Sequence, residues 1–151
     1  MWYSPYKKID TPLVEGFKLR ASDIFFHYHH IIDKGDEMKK VMVVACGSYM
    51  DSGYGCPGEW RCLKAAALGD GKFEEESQVV SMVKCQCPGR ATVANIGMAI
   101  KLAEIKPDTI YLSSCMANAK PDCPYSTAEE KAQMIEGKTG IKVVLGTHNY
   151  A

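Results

Sequence analysis

Val41-Met42-Val43-Val44-Ala45-Cys46 is an apolar run that reads as a strand and ends on a thiol. Two more runs do the same: one closes on Cys85 and the other leads to Cys115. A fourth, Ile141 to Leu145, runs into Gly146-Thr147-His148, which brings an imidazole to the same edge. The four strands are expected at Val41–Cys46, Gln78–Cys85, Thr109–Ser114 and Ile141–Leu145.

The intervening stretches read as helices. Trp60 to Leu68 carries Trp60, Leu63 and Ala67 on one side and is stopped by Gly69-Asp70-Gly71. Val93, Ile96, Ile100 and Ala103 mark a helix of about four turns, which Pro107 ends. Ser126-Thr127-Ala128-Glu129 offers a capping box for a third helix that turns Ala128, Ala132 and Ile135 inward. Strand and helix in alternation predict an α/β fold. The expected architecture is a small open, mostly parallel four-stranded sheet flanked by helices, half of a Rossmann-like or flavodoxin-like arrangement, with an N-terminal extension.

The extension, residues 1–37, differs in character from residues 38–151. It holds three of the four histidines and no cysteine. Phe17, Ile24, Phe25, Tyr28, Ile31 and Ile32 recur at helical spacing, so an amphipathic helix is expected there, ending at Gly35. Such a helix covers a sheet face or docks on a partner, and Trp2, Tyr3, Tyr6 and Phe26 add aromatic surface for protein contact. His27 and His30 read as its polar side.

Eighteen basic and eighteen acidic residues cancel in a chain of 151, which argues against a nucleic-acid or anionic-membrane surface built on net charge. No apolar stretch has the length of a spanning helix, and the first residues lack the order of a signal peptide. The expected setting is the cytoplasm. There, seven cysteines, an odd number, read as metal-binding or catalytic instead of as a disulfide framework, and an anaerobic host keeps them most easily.

Six of the seven gather at or just past strand ends: Cys46, Cys56, Cys85, Cys87, Cys115 and Cys123. Ligands of an open α/β sheet bind outside those ends. Cys56, Cys87 and Cys123 each precede a proline, which restrains the cysteine to an extended loop conformation. In Cys85-Gln86-Cys87, strand alternation sends both sulfurs to one side. Cys62, inside the first helix beside Leu63, reads as packing. A soft site of this kind takes an iron-sulfur cluster, zinc or copper(I), and excludes magnesium or calcium as its main occupant. Paired Cys-x-x-Cys knuckles of structural zinc are missing. Cys87, Cys123, Cys115 and Cys46 are the first-choice ligands, Cys56 and Cys85 the next, with His148 as support or substitute. The competing reading is a thiol-dependent enzyme, reductase or phosphatase-like, in which Cys85 or Cys87 is the nucleophile and Arg90, at a helix start, holds an oxyanion.

The order Cys46, Cys56-Pro57-Gly58, Cys87-Pro88-Gly89, Ser114-Cys115, Cys123-Pro124 and Gly146-Thr147-His148 resembles the CGGC domain family over roughly residues 39–149. The resemblance implies a small prokaryotic protein that binds metal, often zinc, through cysteine and histidine. Where the family reads Cys-Gly-Gly-Cys-Pro-Gly, this chain has Lys84-Cys85-Gln86-Cys87-Pro88-Gly89, and where the family has Cys-Pro-His it has Cys123-Pro124-Tyr125. Sulfur is kept and nitrogen lost, which tilts the expected centre towards all-thiolate ligation: an iron-sulfur cluster first, Zn2+ next.

Overall fold

The computed structural model describes residues 38–51, 56, 61–118 and 120–149. The expectations for residues 1–37 and for Trp60 lie outside them. Four strands, β1 (Lys39–Cys46), β2 (Ser77–Cys85), β3 (Thr109–Leu112) and β4 (Lys142–Leu145), form one sheet in the order β2-β1-β3-β4. Every pairing is parallel. The helices are α1 (Gly47–Asp51), α2 (Arg61–Leu68), α3 (Thr92–Ala103), α4 (Ser114–Ala117) and α5 (Ala128–Thr139). This is the expected α/β class.

Position in the sheet follows from composition. Val41 to Ala45 and Thr109 to Leu112 are buried without interruption, as strands covered on both faces must be, and they occupy the centre. On one face Val41, Val79, Tyr111 and Val144 pack with Ala65 and Ala66 of α2 and with Phe73, whose ring centroid lies 4.2 Å from that of Tyr111. On the other, Met42, Val44, Val83, Cys85, Ile110 and Leu112 meet Ile96 of α3 and Ile135 of α5. Ile96, Ile110 and Leu112 are fully buried, each contributing about 1.5–3 kcal/mol by area. Among the described residues no helix is long and apolar enough to cross a membrane.

Four local readings are corrected. The third strand stops at Leu112, two residues early: the Ser113 amide still donates to the Val44 carbonyl at 2.8 Å, but the Ser113 carbonyl then accepts from Met116 at 2.8 Å, opening α4. Serine is as good a helix start as a strand end. Cys115 therefore sits on a short helix, not on a strand. The capping box is one residue later than expected, with the Thr127 hydroxyl accepting from the Glu130 amide at 3.1 Å and the Glu130 carboxylate accepting from the Thr127 amide at 2.8 Å. Ser126 is engaged otherwise, through its carbonyl. In α2 the buried residues are Cys62, Ala65 and Ala66, while Ala67 is exposed, because small side chains let this short helix lie close to the sheet. Finally, β2 breaks the strand alternation. Val41 pairs with Val79 and Met42 with Ser81, so one residue bulges and every later side chain changes face. That slip delivers Cys85 to the α3 and α5 side.

The turn after β4 is locked to α4 and to the loop before β2. Ser114 Oγ accepts from the amides of Thr147 and His148, both at 3.0 Å, and donates to the His148 carbonyl at 2.5 Å. The Lys72 amide donates to the Thr147 carbonyl at 3.1 Å. Gly71 has φ +66°, and a Cβ there would strike that same carbonyl oxygen, so glycine is required.

Candidate thiol-lined site

The order β2-β1-β3-β4 places a topological switch point between β1 and β3, where the chain leaves the sheet in opposite directions and ligands of open α/β sheets bind. A cavity of about 300 Å3 opens there, lined by Cys46, Cys85, Cys87, Cys115 and Cys123. Tyr49, Met116, Tyr125 and three prolines make most of the remaining wall. Five of the six thiols singled out in the sequence thus line one cavity. Cys56 does not line it.

The thiols differ in setting. Cys46 ends β1 and is half-buried, Cys85 ends β2 and is buried, Cys115 is buried on α4, and Cys87 and Cys123 are exposed on loops. Several have a polar neighbour at the sulfur. Thr92 Oγ1 donates to Cys85 Sγ at 3.2 Å, Ser113 Oγ lies 2.8 Å from Cys115 Sγ, and Ser48 Oγ lies 3.2 Å from Cys87 Sγ. Burial pushes the Cys115 thiol up, against the lowering effect of its Ser113 hydrogen bond. Burial also raises Cys62, with Cys56 and Cys115 adding weaker repulsion of negative charge, and its interior position agrees with the packing role.

Cys123 is the opposite case. Its partial burial works upward, but the amides of Tyr125 and Ser126 and the ammonium of Lys131 outweigh that and bring the thiol below its ordinary value. Lys131 Nζ stands 3.3 Å from the sulfur and donates to the Ser126 carbonyl at 2.7 Å. Only 8% of Lys131 is exposed. The sequence reading passed over this lysine, although a signal was present: it lies four residues before Ile135, on the face already identified as inward.

A depressed thiol pKa means that the thiolate survives to lower pH than in a free cysteine, and thiolate is the reacting form. Alkylation by iodoacetamide, followed site by site with mass spectrometry, should therefore keep its plateau rate for Cys123 to lower pH than for a cysteine in a peptide. Lys131→Met should move the midpoint upward. Equal midpoints in the two proteins would show that the ammonium does not hold the thiolate.

His148, expected at the thiols, is elsewhere. Its Nδ1 lies 3.1 Å from Thr147 Oγ1, and it lines a separate pocket with Lys72, Asn118 and Lys120. The Ser114 lock turns the imidazole away. Arg90 is not part of the cavity wall and lines an adjoining groove. Lys84 pairs with both Asp51 oxygens at 3.0 Å and offers nothing to a metal.

As a donor set, thiolates in an apolar cavity fit a soft metal. Among the described residues, however, no three His, Cys, Asp or Glu side chains stand close enough together to hold an ion.

The fold and site together define a parallel α/β domain with a thiol-lined cavity at its switch point. The chain belongs to the CGGC domain family, whose model matches residues 40–148. Membership points to a cysteine-rich metal-binding protein. No match was found among curated proteins or among solved structures.

Proposed function

We propose that this is a cytoplasmic metal-binding protein holding a thiolate-ligated centre, an iron-sulfur cluster first and zinc next, and acting as a redox or oxygen sensor or as the small redox partner of another protein. The observation that carries the reading is the single cavity lined by Cys46, Cys85, Cys87, Cys115 and Cys123. Cys46 and Cys115 are the fixed ligands, anchored by β1 and α4. Cys87 and Cys123, exposed on loops, are the closing ones, with Cys85 and Cys56 in reserve. Lys131 offsets part of the negative charge that gathered thiolates create. A bound cluster would supply a one-electron couple. In this reading residues 38–151 form the metal-binding domain, and a protein partner docks on the cysteine-bearing loops or on the segment 1–37.

Protein purified without oxygen should show broad absorbance near about 400 nm with stoichiometric iron and acid-labile sulfide. One zinc per chain in a colourless protein would keep the site and change its occupant. Metal-free protein that takes up neither on reconstitution would end the metal reading.

One observation favours the thiol-enzyme alternative: the Lys131 contact to Cys123. It shifts the candidate nucleophile from Cys85 or Cys87 to Cys123, and metal-free protein in the experiment above would favour it.

A further inference from the structure

Beside the thiol cavity a groove of about 470 Å3 runs between the start of α3 and α5. Its lining includes Arg90, Thr92, Ser126 and Lys131 and contains no aspartate or glutamate. Among the described residues no hydrogen bond or ion pair engages Arg90. The Lys131 ammonium has three donors, of which the Ser126 carbonyl and Cys123 Sγ take two. Lys131, only 8% exposed, is held in place by these two bonds on the wall of the groove. The Thr92 amide is taken by the Gly89 carbonyl, but the N-cap residue Ala91 makes no side-chain capping bond, so the next amides of the first turn of α3 add to the same field.

Two cations in one groove without a carboxylate repel each other. An anion relieves that repulsion. We propose that this groove binds a small organic anion, through a carboxylate or phosphate group held by Arg90 and Lys131, with the rest of the molecule directed towards the thiols. Pro88, Tyr125 and Lys131 line both the groove and the thiol cavity, so a ligand seated there reaches the neighbourhood of Cys123 without crossing solvent. The inference does not depend on which metal, if any, the cavity takes. It assigns the groove to substrate or effector recognition, and it makes Lys131 a shared element whose charge serves the thiolate on one side and the anion on the other.

Inorganic phosphate is the probe, titrated calorimetrically into reduced full-length protein in a buffer free of other multivalent anions. Saturable binding in the millimolar range or tighter is expected, weakened about tenfold or more by Arg90→Gln. Arg90 is exposed and makes no hydrogen bond or ion pair among the described residues, so this variant should fold normally. Lys101→Gln, on the far part of α3, should bind as wild type does. Absence of saturable binding, unchanged affinity in Arg90→Gln, or equal weakening in Lys101→Gln would each overturn the proposal.

Discussion

Cys87→Ser combined with Cys123→Ser should lower the metal content of anaerobically purified protein to less than about a tenth of wild type, since each change removes a thiolate that a serine hydroxyl cannot replace at neutral pH. These two are the decisive positions because they are the exposed members of the set. Cys46, Cys85 and Cys115 are tied into β1, β2 and α4, whereas Cys87 and Cys123 lie outside the strands and helices. Exposure also keeps the experiment clean. Both side chains are exposed, so the metal-free double variant should still fold, with the loss of the Cys123 contact to Lys131 as its main cost in stability. Cys62→Ser, by contrast, should keep its metal and lose stability, because it places a hydroxyl in the packed face of α2. Full metal content in the double variant would remove the cavity as the site, and loss of metal in Cys62→Ser alone would require a different ligand set.

Ser114→Ala should destabilise the protein by about 2–4 kcal/mol, an unusually large effect for the loss of one oxygen atom. Ser114 is fully buried, as is Thr147. Its hydroxyl is the acceptor for the Thr147 and His148 amides and the donor to the His148 carbonyl, and a methyl group leaves all three without that partner. For a domain of this size the loss corresponds to roughly 5–15 °C in Tm. The consequence reaches the site, since the same lock holds α4, which carries Cys115, and turns His148 into its own pocket. Ser114→Ala and Thr147→Val should therefore be strongly non-additive. A Ser114→Ala protein within about 0.5 kcal/mol of wild type would show that water or a shifted backbone replaces these bonds.

Both expectations start from residues that the chain announces openly. Apolar runs ending at 46, 85 and 145 predict strands because only a strand covered by helices on both faces can be so continuously apolar, and the intervening 3.6-residue periods supply the helices. The errors fall where two local signals compete. Ser113-Ser114 can extend a strand or start a helix, and two overlapping capping boxes at Ser126 and Thr127 differ only in what the Ser126 carbonyl does. Neither choice can be made without knowing the neighbours in space.

The sequence by itself determined the class of the domain, the four strands and the set of thiols at their ends, since periodicity and turn residues are local properties of the chain. Tertiary structure decided which thiols share a cavity, because strand order, the bulge between Val79 and Ser81 and the early end of β3 set where each sulfur points. It also decided the electrostatics. Lys131 acts on Cys123 only because α5 packs its inward face beside the loop carrying that cysteine, and a charge matters to a thiol through distance and burial, not through separation along the chain.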